Sequence, residues 1–457
     1  MRSDSLESLL KETADSFLEK VKGQSVEVVS HFDSDGVTSA AIMVQTLKRL
    51  DQKFSLRIIK SLTKEFVYSL DKEKTVIFLD LASGNLKSIG EARLKKVFII
   101  DHHEVNPEDI PDNVEIVNPE ICEKQKISSS GLTYLFCKKI DERNKEFAKL
   151  AVIGMIGDML DKEMGGLNYG ILEEGDIQKR RGLLIYPSTR PINKVLEFSS
   201  SPIIPGVTGD PLRVIELLRE AGLKPENGRY KNLVDLTEEE MENLVTSIIL
   251  RNPKKKHKDL IGDLFLVKMF GKLEDAREIS AKINACSRAG KPEVALGFCL
   301  ENAEAKKKAE SIHTKYRQQL ISGIKYAQSE EKIKGKGYVI LNAKDRIKDT
   351  MIGTISSILA SSPGYEEGTT IIGMSYDGNN KIKISGRNVG KEGRNLKELL
   401  SDVMESFDGE VGGHHSAAGC VIDIDDEEEF INKIRKHLEI EVVKIGRENN
   451  LPPQISL

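Results

Sequence analysis

The chain has 457 residues, a formal net charge of −4, 39% hydrophobic and 31% charged residues. That length allows two or three domains with full cores, and the charge balance excludes a protein that coats nucleic acid by bulk charge, while leaving room for a local basic channel. There is no Trp and aromatics are 5%, which argues against wide stacking platforms for single strands.

Residues 5–22 read as an amphipathic helix. Strands and helices then alternate: strand 25–30, helix 36–50, strand 54–60, short helix 64–70, strand 75–80, helix near 86–95, strand 96–101 and strand 114–118. Helices near 129–140 and 145–160 follow. Such alternation predicts a parallel sheet covered by helices on both faces. No apolar run approaches about 18 residues and no signal-peptide pattern opens the chain, so no membrane association is expected. The five cysteines have no CxxC spacing, which predicts reduced thiols in a cytoplasmic protein.

Residues 187–272 break the pattern with Pro, Ser and Gly, then helical stretches near 211–222 and 236–251. They read as a connector and a small helical insertion. The basic run "RNPKKKHK" (251–258) closes it; a solvated surface is the plain reading, strand or partner binding the functional one. Residues 276–298 look like a helix, a turn and a strand, and 303–328 a long polar-faced helix between domains. From 335 to 440 strands and helices alternate again as a second α/β domain. Its basic stretch 381–400 is interleaved with Gly and Ser that let backbone approach a phosphate.

Ligands of parallel α/β sheets bind beyond the carboxyl ends of the strands. Four segments deliver Asp and His there: "HFDSDG" with His31, Asp33 and Asp35; "FLDLASG" with Asp80; "IIDHHEVNP" with Asp101, His102 and His103; and "IGMIGDM" with Asp158. Alone, a DxDG is more often a turn, an HH pair incidental, and an Asp in an apolar helix a partnered polar residue. Together, that many carboxylates repel unless cations neutralise them. Carboxylates mixed with imidazole suit Mn2+, or Mg2+ with more waters. Two such ions about 4 Å apart are the usual arrangement for in-line phosphoester cleavage.

In this order the four segments resemble the motifs of the DHH phosphoesterase superfamily. "DGEVGGHHSAAGC" (408–420) resembles the glycine-histidine motif of the associated DHHA1 domain, and "INACSR" (283–288) and "KDTMIGTISSILA" (348–360) resemble segments of RecJ nucleases. The resemblance covers roughly 25–185 and 276–440 and is strongest to archaeal RecJ-like nucleases, the group that associates with the GINS complex. It implies an α/β fold with a parallel-sheet DHH domain and a smaller α/β DHHA1 domain joined by a long helix, with a helical insertion. The implied boundaries are 1–195 for the catalytic domain, 196–272 for connector and insertion, 273–302 for a return segment, 303–330 for the linker helix and 331–457 for DHHA1.

The implied metal ligands, for two Mn2+ or Mg2+, are His31, Asp33, Asp35, Asp80, His102 and Asp158, with Asp80 bridging. His31 stands where bacterial RecJ proteins carry another Asp. His103 would face the scissile phosphate, Asp101 would orient an imidazole, and Asn284 and Arg288 would sit near the reacting phosphate. Ser385, Gly386, Arg387, Gly412, Gly413 and His414 would hold the substrate backbone. The function implied is an Mn-dependent exonuclease on single-stranded DNA or RNA, in replication or repair, with GINS or the replicative helicase as partner. Two alternatives stand beside it. One is an oligoribonucleotide or cyclic-dinucleotide phosphodiesterase, whose members are shorter. The other is a replisome scaffold bound to GINS, against which the complete carboxylate set counts.

Overall fold

The computed structural model describes residues 5–122, 125–162, 164–199, 202–252, 257–362, 364–409 and 411–448. Three of the lysines of the basic run, Lys254, Lys255 and Lys256, lie outside the described residues. The chain separates into two compact units. One comprises Met1–Val195, Glu226–Thr237 and Lys258–Tyr316; the other Leu196–Pro225, Glu238–His257 and Arg317–Leu457.

In the first unit α1 (Leu6–Val21) starts where the Ser5 hydroxyl accepts from the Ser8 amide, and it buries Leu6, Leu10, Ala14, Phe17 and Val21 at helical spacing. Then come β1 (Val26–His31), α2 (Ser34–Arg49), β2 (Phe54–Ile59), α3 (Lys64–Tyr68), β3 (Thr75–Leu79), α4 (Leu86–Ala92), β4 (Lys96–Ile100) and β5 (Val114–Val117). The five strands form one sheet in the order β2-β1-β3-β4-β5, parallel throughout. Its inner strands are apolar on both faces. Val26, Val28, Ile77, Leu79, Phe98 and Ile100 pack into one core, and Val29, Val76, Phe78, Val97 and Ile99 into the other. Strands with two buried faces need helices on both sides, as the alternation of elements predicts.

Two strands end one residue earlier than expected, at Leu79 and Ile100. Asp80 leaves the extended conformation altogether, with φ +60°. The chain continues with α5 (Ser129–Ile140), α6 (Ala148–Gly157), α7 (Gly166–Glu174), β6 (Gln178–Leu183) and α8 (Ile192–Glu197). In the stretch read as an insertion, α9 (Pro211–Glu220) and α10 (Glu238–Arg251) are helical as expected.

Two features were not foreseen. β6, β7 (Ile261–Met269) and β8 (Lys272–Asp275) form a three-stranded antiparallel sheet. Residues 276–298 form two helices, α11 (Ala276–Arg288) and α12 (Pro292–Cys299), rather than a helix and a strand. The run "EVALGF" is too short for periodicity to separate strand from helix, and Pro292 at the first helical position is the signal that decides it.

The 27-residue α13 (Ala303–Ser329) carries the chain from residues of the first unit into the second. There follow β9 (Ile333–Gly335), β10 (Tyr338–Asn342), α14 (Asp349–Ala360), β11 (Thr370–Tyr376), β12 (Lys381–Asn388), α15 (Leu396–Met404), β13 (Gly412–His414), β14 (Ala417–Asp423) and α16 (Glu427–Glu448). The sheet order is β13-β14-β12-β11-β10-β9, and only β10 and β11 run parallel. No helix among the described residues is long and apolar enough to cross a membrane.

Gly36 lets α2 start hard against the end of β1. A Cβ there would lie 2.6 Å from the His31 carbonyl carbon and 2.7 Å from the His31 Cβ, and the Ser30 hydroxyl donates to the Gly36 carbonyl at 2.7 Å. Gly36→Ala is expected to destabilise the first unit by about 1–3 kcal/mol, the usual cost of overpacking. Urea denaturation followed by circular dichroism would read it, and an unchanged midpoint would show that the turn has slack.

Candidate metal centre

The sheet register explains why Asp and His recur at strand ends. Ser30 pairs with Leu79, Leu79 with Ile100, and Ile100 with Val117. One residue further on, His31, Asp80, Asp101 and Asn118 therefore fall in one row across β1, β3, β4 and β5. Neighbouring strands are about 4.8 Å apart. Strand order reverses between β1 and β3, where the following loops diverge and a crevice opens. His31 and Asp80 flank that point.

Helix ends supply the rest. Asp33 caps α2, accepting from the Gly36 amide at 3.0 Å. Asp35, in the first turn of α2, is buried, and the Ser129 and Ser130 amides at the start of α5 donate to it at 2.7 and 3.1 Å. Asp158 stands at the C-terminal end of α6. Gly154 on α6 makes room for this: a Cβ there would lie 2.5 Å from Asp35 Oδ1 and from Thr38 Oγ1.

The side chains meet. His31 Nδ1 lies 3.1 Å from Asp33 Oδ2 and 3.3 Å from Asp80 Oδ2. His102 Nε2 lies 3.2 Å from Asp158 Oδ2 and 3.6 Å from Asp80 Oδ1. Among the described residues, three sets bring ligand atoms within 4.8 Å of one another: His31, Asp33 and Asp80; Asp80, His102 and His103; and Asp35, His102 and Asp158. Asp80 and His102 each belong to two of them. Asp80 Oδ1 is buried with no hydrogen-bond donor. A buried lone pair with no proton facing it, among carboxylates and imidazoles, is the chemistry of a hard or borderline divalent cation site.

Asp101 differs. Its Oδ1 accepts from the His102 amide at 2.8 Å and contacts His103 Nδ1 at 2.7 Å, and its Oδ2 accepts from the Ser83 amide at 3.1 Å. It belongs to none of the three sets. The sequence did not single out Asn118, whose side-chain amide donates to Ser83 Oγ at 3.1 Å and to the His103 carbonyl at 2.9 Å. Its place after β5, in the same row as the aspartates, is the signal that could have found it. Ser128–Ser130 were also missed, although Ser128 is an ordinary N-cap and the amides beyond it are natural anion donors. Asn284 Oδ1 accepts from the Ser34 amide at 2.9 Å, between Asp33 and Asp35. Arg288, four residues on, is exposed and donates to the Tyr316 hydroxyl at 2.8 Å.

Electrostatics follow this geometry. Burial, then Asp35, Asp33, Asp101 and Asp158, push Asp80 well above the ordinary carboxylate range. Burial, then Asp35 and Asp33, push Asp158 to about 8. Burial also raises Asp35 against the opposing charge of His102. For Asp33, burial is outweighed by the hydrogen bond and charge of His31, and the value falls to about 2. Burial resists the charging of His31, yet Asp33 and Asp35 win and its value rises. The hydrogen bond that His103 donates to Asp101 raises His103 despite burial. Asp101 is held far down, because contacts with His103 and Ser83 outweigh its burial.

The second unit holds the other residues singled out from the sequence. Arg387 on β12 pairs with Ala417 on β14, which pairs with His414 on β13. Arg387 and His414 therefore share one face of the sheet, two strands apart, with a small residue between them. Ser385, Gly419 and Gly412 form the next row on that face. Gly413 has φ +122°, and a Cβ there would lie 2.6 Å from Ala418 Cα, so only glycine fits this edge hairpin. Gly412, Gly413 and His414 are exposed. Arg387 is half-buried. Its Nε donates to Ser357 Oγ at 2.9 Å and its Nη1 to the Gly386 carbonyl at 2.6 Å. Among the described residues no carboxylate forms an ion pair with it.

Residues 25–155 match the DHH family, N-terminal domain, residues 185–259 the DHH-CID domain, and residues 335–439 the DHHA1 domain. An uncharacterized protein of Methanocaldococcus jannaschii is 28% identical over 426 residues, 90% of this chain and 92% of that protein. The single-stranded-DNA-specific exonuclease RecJ of Bacillus subtilis is 26% identical over 167 residues, 33% of this chain and 21% of that protein. Among solved structures, exonuclease RecJ bound to manganese has a TM-score of 0.57 at 18% identity, covering 93% of each chain. CDC45 from Entamoeba histolytica has a TM-score of 0.68 at 11% identity, covering 94% of this chain and 99% of that one. The two structural likenesses are likenesses of fold.

The raised carboxylates give a test on the metal-free protein. A carboxylate whose folded-state value lies above its unfolded value of about 3.9 loses stability as pH rises through that interval. A histidine with a raised value likewise contributes stability that disappears as pH rises through the folded value. Both signs agree between pH 5 and 8, so the chelated protein is expected to be more stable at pH 5 than at pH 8. Asp80→Asn should flatten that slope and stabilise the chelated protein at pH 8 by about 1 kcal/mol or more. Thermal melts in EDTA at the two pH values check this; a variant less stable than the parent at pH 8 would contradict it.

Proposed function

Because this chain belongs to the DHH/DHHA1 family, matches a RecJ exonuclease in sequence over 33% of its length and shares the RecJ fold over most of it, we propose that it hydrolyses phosphodiester bonds of single-stranded DNA or RNA with divalent metal, Mn2+ above all. The observation that carries this reading is the convergence of His31, Asp33, Asp35, Asp80, His102 and Asp158 on one sheet edge, with a buried Asp80 oxygen lacking any donor. These six residues would hold two cations, and Asp80, shared by two of the three ligand sets, would be their common carboxylate. Bound there, the cations would supply a hydroxide near neutral pH and charge for the attacking and leaving oxygens.

The chain's own residues do the positioning. Asp101 fixes His103 through Nδ1, which leaves Nε2 free of that contact, and the raised value of His103 favours the imidazolium. An imidazolium Nε2–H can donate to a phosphate oxygen or a departing alkoxide. Asn284 holds the Ser34 amide and with it the turn carrying Asp33 and Asp35. In the second unit Arg387 would grip a substrate phosphate. Its guanidinium is oriented by Ser357 and Gly386, and among the described residues no carboxylate pairs with it. His414 and the exposed Gly412–Gly413 backbone would add donors on the same face.

A second reading, a replication-assembly subunit partnered with GINS, draws on the fold likeness to CDC45. The intact Asp/His set favours hydrolysis, and the two roles are compatible.

End-labelled single-stranded DNA, RNA and dinucleotides, with 5′-phosphate or 5′-hydroxyl ends, should all be informative substrates. Shortening that requires Mn2+, stops with EDTA and is lost in Asp80→Ala is the expected outcome. A metal-replete, folded protein that leaves every one of them intact would remove the hydrolytic reading and leave the assembly role. Arg387→Ala should weaken single-strand binding roughly 10- to 150-fold, the worth of a charge-assisted contact of ~1.5–3 kcal/mol. The log–log salt slope should flatten by about 0.7, one phosphate contact on a single strand. An unchanged slope would take Arg387 out of the phosphate path.

A further inference from the structure

Met159 follows Asp158 directly, and two independent features set it apart. Its side chain is 62% exposed. Its backbone is left-handed, with φ +60°. A left-handed backbone favours Gly or Asn, and solvent exposure favours a polar side chain. Methionine at this position is thus disfavoured twice over, and such outliers persist at functional sites. The surroundings fix the strand of chain that carries it. The Asp158 amide donates to the Gly154 carbonyl at 3.0 Å and the Met159 amide to the Ile156 carbonyl at 3.2 Å. The next residue, Leu160, packs against the core. Two successive apolar residues therefore part company at the end of α6, one inward and one outward.

The other large apolar side chains exposed among the described residues have ring partners or belong to the second unit. The Tyr68 hydroxyl donates to Glu91 and Lys64 lies over its ring. Lys179 lies over the Tyr169 ring. Leu212 and Leu250 belong to the second unit. Phe32, beside His31, packs edge-on against that imidazole at 5.0 Å between ring centres. Met159 is the exposed apolar group attached to the cluster through the backbone.

We propose that Met159 is the substrate-contact residue that packs against a nucleobase next to the scissile phosphate, resting on the phosphodiesterase reading above. A flexible, polarisable thioether adapts to purine and pyrimidine faces alike, which suits a chain with no Trp and 5% aromatics. The contact favours bases without selecting among them. It makes the recognised unit a nucleotide rather than a bare phosphate ester.

The test pairs variants with substrates. Dinucleotides with both bases, and with the base removed at each position in turn, are hydrolysed with Mn2+ by the parent, Met159→Ala and Met159→Leu. Met159→Ala should raise KM about 5- to 20-fold on the intact dinucleotide, about 1–2 kcal/mol at 1.4 kcal/mol per tenfold. The change should be under about twofold where the contacted base is missing, and Met159→Leu should stay within about threefold of the parent. Equal losses with and without bases would overturn the proposal. Equilibrium binding of the same dinucleotides in Ca2+ separates the two layers. Binding in Ca2+ with no hydrolysis in Mn2+ by the parent would sink the hydrolytic reading alone, whereas base-independent binding would sink the Met159 contact alone. Met159→Gly gives a readout apart from activity. It should melt no lower than the parent, because it relieves the left-handed backbone. A fall of more than about 5 °C would mark Met159 as a packing residue and overturn the assignment.

Discussion

Crowding of carboxylates at one edge of one sheet is the constraint from which the rest of the first unit follows. Asp80 and Asp101 show how the fold handles it. Both are buried, both stand one residue beyond the end of their strand, and their strands are neighbours. Their acidities go in opposite directions. Asp101 receives the amides of Ser83 and His102 and the His103 ring, so its charge is solvated by protein. Asp80 Oδ1 receives no hydrogen bond, with His102 Nε2 at 3.6 Å, and neighbouring acids raise its carboxyl. One carboxylate is finished by the fold, and the other is left for a cation to finish. Burial alone cannot distinguish these outcomes; the count of donors does.

Much of this could be read before any coordinates. The alternation of apolar runs with amphipathic stretches fixed the parallel sheet, because such strands are buried on both faces and carry no polar alternation to mislead. Strand ends then located the candidate ligands. What escaped had physical reasons. β6 begins "QKRR", and an edge strand clothed in cations has no strand-like hydrophobic pattern. Donors that act through backbone amides, such as Ser129 and Ser130 toward Asp35, leave almost no mark on residue type. Asn118 was hidden for another reason: a lone Asn after a strand resembles a turn residue until register places it beside Asp101. The mixed sheet of the second unit was likewise beyond alternation alone, since hairpin and crossover connections differ in space more than in pattern.

In the second unit the argument runs through side-chain size. Arg387 and His414 lie two strands apart in one row, separated by Ala417, and the neighbouring row holds Ser385, Gly419 and Gly412. Bulky residues at those places would fill the face between the guanidinium and the imidazole. Small ones leave the guanidinium and the imidazole in one row with little side chain between them. The glycines of "EVGGHHSAAG" thus have two separate tasks. Gly413 is demanded by its own backbone angle, and Gly419 by a Cβ that would lie 2.6 Å from the Ile384 carbonyl oxygen, while a Cβ at Gly412 would meet only open space.

The Asp/His set is drawn from segments as far apart as residues 31 and 158, and Asn284 ties the α2 turn from further still. No local stretch of the unfolded chain reproduces it. A cation that occupies the folded arrangement therefore has little to bind in the unfolded one, and its binding free energy becomes folding free energy. At a cation concentration about 100 times the dissociation constant, that contribution is about 2.7 kcal/mol. This is of the same order as the penalty a raised, buried carboxylate imposes on the metal-free fold. A sheet edge can tolerate acids that would weaken an ordinary protein where a bound cation would restore the stability they remove. Met159 obeys the same logic on a smaller scale, as a side chain unfavourable in isolation whose compensation comes with the molecule that meets it.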